Sequence, residues 1–329
     1  MFKKKNINVA IFGMGYVGLP LALEFSKKFN VTGYDVNKKR ILELKNGFDI
    51  TKEVSEKSLQ NSKKLKFTHN LNSIKNVNVF IVTVPTPVYK NKKPDLRSLV
   101  AATKAISKIL KLGNTIVYES TVYPGTTEEV CIPIIEKISK LKLNKDFYCG
   151  YSPERINPSD SIHKLRNTNK IISGSNIKTV NFLYYFYKQI IDAKVFKANS
   201  IKVAEAAKII ENTQRDLNIA LINELSIIFN KLNIDTHDVL KAAATKWNFI
   251  NFSPGLVGGH CIGVDPYYLT YKSERLNYSP KIILSGRELN DSMPTFIVKK
   301  LLSTMKKRNI TITKAKILVL GASFKENCR

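Results

Sequence analysis

Apolar and polar positions alternate along the first half of the chain in two rhythms. Residues 7–12 form a short apolar run of strand length. Residues 16–28 follow with Val17, Leu21, Ala22 and Phe25 on one face, at the spacing of an amphipathic helix. Residues 31–34 give a second strand, and residues 77–84 are nearly all apolar, as in a strand covered on both sides. Residues 95–111 read as a helix opened by Pro94 and Asp95. Residues 115–119 and 147–151 supply two further strands. Strands alternating with helices predict an α/β fold with a parallel sheet and crossover helices.

The middle differs. No glycine or proline interrupts the stretch between Gly174 and Pro254. Residues 200–232 can run as one long helix, with Ile201, Ala204, Ile209, Leu217, Leu221, Leu225 and Ile228 on or near one face. That length exceeds the usual globular helix and suits a domain connector or a dimer interface. Residues 235–244 give a second helix. Near the end, KILVLG at residues 316–321 reads as the opening strand of another α/β unit. Three segments are therefore expected: a sheet domain at 1–198, a helical central domain at 199–310, and the start of a further domain at 311–329.

A chain of 329 residues with 43% hydrophobic content can bury substantial cores. No segment reaches the apolar length of a membrane helix, and the basic start (Lys3 to Lys5) precedes an apolar run too short for a signal peptide. A cytoplasmic protein is expected, with no membrane partner. The four cysteines, Cys131, Cys149, Cys261 and Cys328, show no paired spacing, so free thiols are expected and no metal site. The formal charge of +27 raises the question of nucleic acid. The lysines are scattered and not interleaved with aromatics in one stripe, so a solvated basic surface is the simpler reading. Such a field would still steer anionic ligands inward.

The first candidate chemistry is Gly13-Met14-Gly15-Tyr16-Val17-Gly18, placed after a strand and opening a helix. Glycines there permit a tight turn, approach of a pyrophosphate and close helix–strand packing. The helix N-terminus favours phosphate. Asp35 lies after the second strand, about 20 residues on, where a carboxylate bonds ribose hydroxyls and repels a 2′-phosphate. This pattern favours NAD over NADP in a Rossmann-like domain, with Arg40 near enough to complicate the choice. Two later loops, Pro85-Thr86-Pro87 and Glu119-Ser120-Thr121, lie at strand ends where hydroxyls could reach a cofactor.

The second is Gly258-Gly259-His260-Cys261-Ile262-Gly263-Val264-Asp265. Glycines around one cysteine, with a carboxylate four positions on, suit a nucleophilic thiol better than an inert one. Lys208 and Asn212 share a face of the long helix, where a lysine among Ala206, Ala207, Ile209 and Ile210 is either partly buried or functional. His260 has no second ligand at metal spacing and is expected to pack or bond within its loop.

With these residues in place, the chain resembles the UDP-glucose/GDP-mannose dehydrogenase family, in its branch acting on UDP-N-acetylhexosamines. The matching segments are GMGYVGLPLA, VTVPTP, YESTVYPGTTEE, YSPERINP, AEAAKIIENTQRDLNIALINE and GLVGGHCIGVDPYYLT, across nearly the whole chain. Cys261-Ile262-Gly263-Val264-Asp265 departs from the Cys-Leu-Pro-Lys-Asp common in the glucose branch and favours the acetamido sugars. The resemblance implies a four-electron oxidation of the sugar C6 alcohol to a carboxylate, with NAD as cofactor and surface polysaccharide synthesis as context. It implies Cys261 as the thiol that forms a thiohemiacetal and then a thioester. Lys208 would stabilise developing oxyanions, Glu154 and Asp265 would move protons through water, and Asn212 would orient water. Gly13, Gly15, Gly18, Asp35, Arg40, Thr86 and Thr121 match cofactor positions. Arg155, Asn157, the loop at 252–256 with Phe252 and Gly255, Gly258, Arg287 and Lys325 match substrate-side positions. A UDP-sugar substrate and a homodimer through the long helix follow from the same resemblance.

Family members continue past the point matched by FKENC, into a domain that covers the UDP. A shortened chain is therefore expected to bind NAD with little or no turnover, unless a separate chain supplies the remainder. An inactive NAD-binding remnant, a simpler two-electron dehydrogenase that does not need Cys261, and a basic nucleic-acid-binding protein are the competing readings.

Overall fold

The computed structural model describes residues 6–155, 164–259 and 262–321. The strands are β1 (Asn8–Phe12), β2 (Asn30–Tyr34), β3 (Leu65–Thr68), β4 (Val79–Val82), β5 (Thr115–Tyr118), β6 (Tyr148–Tyr151), β7 (Lys170–Gly174) and β8 (Val195–Lys197). The helices are α1 (Gly18–Ser26), α2 (Lys38–Lys45), α3 (Glu56–Gln60), α4 (Arg97–Ser107), α5 (Ile132–Ser139), α6 (Ile177–Lys188), α7 (Ile201–Leu232), α8 (Thr236–Ala243), α9 (Asp265–Glu274) and α10 (Lys281–Lys307). The chain divides into two compact units, Met1–Lys208 and Ile209–Arg329, and α7 runs through the boundary.

The first unit is an α/β layer structure on one sheet of order β3-β2-β1-β4-β5-β6-β7-β8. Every pairing is parallel except β6 with β7. Strands β4 and β5 are buried at all positions, which explains their unbroken apolar runs. Strand alternation divides the core. Val9, Ile11, Val79 and Ile81 face one cluster with Phe25, Leu183 and Phe186, whereas Ala10, Phe12, Phe80 and Val82 face another with Leu99, Ile106 and Ile135. The order reverses between β1 and β4, and ligands bind parallel sheets beside such a switch point, at the carboxyl ends of the strands.

The second unit is helical. Gly286 lets α10 close on α7, since a Cβ there would stand 2.5 Å from Leu217 Cδ2. Two expectations are corrected here. Residues 316–321 form no strand; Leu318 and Leu320 are 82% and 83% exposed, and no neighbouring strand among the described residues offers them a ladder. The apolar face expected on α7 is also only partly inward. Ile201, Ala204 and Ile209 are buried, but Leu221 and Ile228 are exposed. The buried stripe instead carries Glu205, Asn212, Asp216 and Asn223, polar residues at helical spacing that are bonded by side chains and backbone they face, save for Asp216 Oδ2, which has no partner among the described residues.

Candidate active site

The three glycines after β1 do three different things. Gly13 has φ +98°, and a Cβ on it would lie 3.0 Å from Thr83 O, so the turn admits no side chain. A Cβ on Gly18 would stand 1.8 Å from Gly13 O, so α1 packs against the turn only because that position is bare. Gly15 faces open space, with nothing within 4 Å of its missing side chain. Close turn, close packing and an open approach are what a pyrophosphate cradle requires. Asp35 follows β2 and accepts from Met14 N–H at 2.8 Å through one oxygen and from Asn37 N–H at 2.9 Å through the other. Each oxygen retains capacity for hydroxyl donors.

A cleft of about 400 Å³ lies beside this turn, lined among others by Met14, Gly15, Asp35, Asn37 and Arg40. Arg40 is nearly buried. Its Nε donates to Met14 O at 2.8 Å and its Nη2 to Asp49 Oδ1 at 2.7 Å. Burial pushes the Asp49 carboxyl up, but bonds from Thr51, Arg40 and Val54 outweigh it and leave the group below its ordinary value. The Arg40 charge is thus paired with a buried carboxylate and holds the glycine turn, while its Nη1 makes no hydrogen bond with the described residues. The residues present fit NAD.

The loops after β4 and β5 meet each other. Thr86 Oγ1 donates to Thr121 O at 2.6 Å, and Ser120 Oγ donates to Val84 O at 2.7 Å. Glu119, at the end of β5, is buried against Lys170 of β7 at 2.6 Å and accepts from Tyr187 OH at 2.5 Å. Lys170 Nζ also donates to Pro153 O at 3.1 Å, tethering the turn that presents Glu154, which is 8% exposed. Arg155 donates to Asn169 O at 2.9 Å. Farther along, Glu205 of α7 accepts from Gly125 N–H at 2.5 Å and Thr127 N–H at 2.9 Å, fixing the turn after Thr121. Burial raises the Glu205 carboxyl to about 7 against those bonds. Lys208 is half-buried on the same helix.

In the second unit, Asn212 Nδ2 donates to Asp265 Oδ2 at 2.5 Å, so two of the expected catalytic residues are joined directly. Asp265 is buried in the first turn of α9. Arg287 is buried between Asp216, at 2.6 Å, and Asp291, with its guanidinium over the Tyr267 ring. Phe252 is half-buried, and Gly255 and Gly258 are exposed. Cys261, Asn157 and Lys325 lie outside the described residues, as does His260.

Cys131 and Cys149 are buried free thiols; burial pushes the Cys131 thiol up to about 12 and the Cys149 thiol well above its ordinary value, which removes both as nucleophiles. Among the described residues no cluster of His, Cys, Asp or Glu is arranged to hold a metal ion, and no helix is long and apolar enough to cross a membrane. Lys170, Glu205, Asp216 and Asn223 were not singled out by sequence reasoning. The signal was present for the α7 residues, because polar side chains at 205, 212, 216 and 223 recur on one helical face.

Comparison with known proteins agrees with this geometry. Residues 7–191 match the model of the UDP-glucose/GDP-mannose dehydrogenase family, NAD binding domain, and residues 202–292 match the same family's central domain. The chain is 56% identical over 328 residues to the UDP-N-acetyl-D-glucosamine 6-dehydrogenase of Salmonella typhi, covering 100% of this chain and 77% of that protein. It is 57% identical over 324 residues to the enzyme of the same name from Pseudomonas aeruginosa, covering 98% and 77%. Among solved structures it is similar to the UDP-D-ManNAc dehydrogenase of Pyrococcus horikoshii, with TM-score 0.87, 32% identity, and coverage of 94% of this chain and 74% of that one. With both matched models spanning most of its length, the chain belongs to the UDP-glucose/GDP-mannose dehydrogenase family, and its first unit is that family's NAD binding domain.

Proposed function

We propose that this chain oxidises the C6 alcohol of a UDP-N-acetylhexosamine to the carboxylate, in the cytoplasm and in service of surface polysaccharide synthesis. The observation that carries the reading is identity above 55% to two UDP-N-acetyl-D-glucosamine 6-dehydrogenases across essentially the whole chain. The glycine turn with its Asp35 acceptor supports the cofactor half of the reading. NAD supplies the hydride acceptor, used twice in a four-electron oxidation.

The chain's own residues carry the remaining roles. Cys261 is the thiol that adds to the aldehyde carbon, so that the second oxidation ends in a thioester open to water. Lys208 stabilises negative charge on the C6 oxygen. Glu154 and Asp265 relay protons through water. Asn212, bonded to Asp265 at 2.5 Å, orients that carboxylate and the water it serves. Thr86 and Thr121, linked to each other, complete the cofactor side, while Arg155, Asn157, Phe252, Gly255, Gly258 and Lys325 serve the substrate side. Arg287 serves it indirectly, because its ion pairs are with Asp216 and Asp291.

The exposed apolar residues of α7, Ile210, Leu221, Ile228 and Leu232, recur at spacings of four, seven and eleven, as in a helix that pairs with a second copy. A homodimer through α7 is part of the proposal. NADH formation by the purified chain with UDP-GlcNAc, UDP-GalNAc, UDP-ManNAc and UDP-glucose tests the substrate reading. An N-acetylhexosamine is expected to be preferred; preference for UDP-glucose would overturn the substrate reading, and no NADH from a folded chain that binds NAD would favour the inactive NAD-binding remnant instead.

A further inference from the structure

Gly255 sits on an exposed loop, yet both of its backbone groups are held by one fully buried side chain. Asn223 Oδ1 accepts from Gly255 N–H at 2.8 Å, and Asn223 Nδ2 donates to Gly255 O at 2.9 Å. Asn223 is 0% exposed, and the same Nδ2 donates to Asn290 Oδ1 at 2.8 Å. Asn290 Nδ2 donates to Asp216 at both its backbone oxygen, 3.0 Å, and Oδ1, 2.8 Å. Asp216 Oδ1 is bound by Arg287, Arg287 also meets Asp291, and Asp291 accepts from Tyr267 OH at 3.1 Å. Tyr267 belongs to the first turn of α9, two residues past Asp265.

One polar chain, buried except at Asp291, therefore connects the loop at Gly255 to the start of α9. Burial of so many polar groups is costly, the more so because Asp216 Oδ2 and Arg287 Nε make no hydrogen bond with the described residues, and an apolar core would hold three helices together as well. What this chain supplies beyond cohesion is a fixed register. Asn212, Asp216 and Asn223 stand on one face of α7, since eleven residues complete three helical turns. Asn212 holds Asp265 and Asn223 holds Gly255, so one rigid helix fixes both ends of the segment between them.

We propose that Asn223 is a positioning residue: its two-point clamp on Gly255, braced by Asn290, Asp216 and Arg287, sets the 252–256 loop in the conformation that receives the sugar nucleotide. This rests on the reading of that loop as substrate-facing. Asn223→Ala removes both bonds to Gly255 while leaving α7 a better helix former at that position. Asn223→Asp keeps an acceptor for Gly255 N–H and loses the donor to Gly255 O and Asn290.

The test combines hydrogen exchange with steady-state kinetics on the full chain. Exchange of the peptide containing Gly255 is expected to accelerate about 10-fold or more in Asn223→Ala, with peptides of β1, β4 and β5 unchanged. KM for UDP-GlcNAc is expected to rise about 10-fold, with KM for NAD and kcat within about 3-fold of wild type, because the lost contact positions the substrate equally before and during the reaction. Asn223→Asp is expected to fall with the Ala variant. Unchanged exchange at Gly255 would overturn the clamp. Equal loss in kcat and both KM values, with exchange faster throughout the second unit, would reduce Asn223 to a structural role and overturn the proposal. Wild-type protein that turns over no UDP sugar would fail the functional reading instead, and the exchange result would still decide the clamp.

Discussion

Glu205 should make the NAD-binding unit lose stability as pH rises through neutrality. Its carboxyl is 0% exposed and stands at about 7 in the folded chain, against an ordinary value of 4.5. Burial is the largest cause and raises it; the bonds from Thr127 and Gly125 oppose that without cancelling it. A carboxyl raised on folding holds a proton in the native state that the unfolded chain has already released. Its contribution is therefore fully present below about pH 4.5 and is lost as pH climbs through about 7. Moving a carboxyl from 4.5 to about 7 corresponds to roughly 3 kcal/mol, at about 1.4 kcal/mol per pH unit. Glu119 and Asp216 are also raised by burial, so the pH dependence of the wild type alone would mix several groups. The informative quantity is the difference between wild type and Glu205→Gln, in which those other groups cancel. Urea unfolding of both proteins between about pH 5 and 8 should show the wild type losing roughly 2.5 kcal/mol relative to the variant. Stability curves that stay parallel to within about 0.5 kcal/mol over that range would refute the assignment.

Four further outcomes follow from the cradle and the helix. Gly15→Ala should leave the melting temperature unchanged, since nothing lies within 4 Å of its missing side chain, and should weaken NAD binding measured by calorimetry. Gly18→Val, whose Cβ would meet Gly13 O at 1.8 Å, should lower both, with a stability loss of about 1–3 kcal/mol. Asp35→Ala, which removes the acceptor of Met14 N–H and of the ribose hydroxyls, should raise Kd for NAD about 100-fold and that for NADP far less; equal losses for the two would contradict the role of its charge. Leu221→Glu combined with Ile228→Glu should halve the solution mass seen by light scattering if α7 pairs two copies, and an unchanged mass would remove that face from the interface.

Five of the eight strands were legible because their signals are local and redundant, whereas β3, β7 and β8 were not expected. Apolar runs at β1, β4 and β5, a glycine turn between β1 and α1, and an acidic residue after β2 agree with one another and with no other arrangement. The length of α7 was legible for the same reason, since nothing in residues 201–232 breaks it. Its inward face was not. Periodicity counted leucines and isoleucines, whereas this helix buries Glu205, Asn212, Asp216 and Asn223 and leaves Leu221 and Ile228 outside. A polar residue is buried only when a partner is supplied from elsewhere in the chain, here Gly125, Thr127, Asp265, Arg287, Asn290 and Gly255, and those pairings are invisible one segment at a time. Lys170 escaped notice because no strand was expected at residues 170–174 and its carboxylate partner, Glu119, lies fifty-odd positions away at the end of β5. The strand expected at 316–321 has the right composition, but strand structure requires a neighbour as well as a propensity. The candidate site residues were named through resemblance, whereas the bonds that brace them were not visible in the sequence.

The central claim is a thiol-dependent four-electron oxidation, and the most direct measurement is the stoichiometry of NADH to sugar. Purified chain would be given a limiting amount of UDP-GlcNAc with excess NAD, beside Cys261→Ala. The account predicts two NADH per sugar with the uronic acid as product, and loss of that product in the variant. One NADH per sugar, or unaltered turnover in Cys261→Ala, would contradict it.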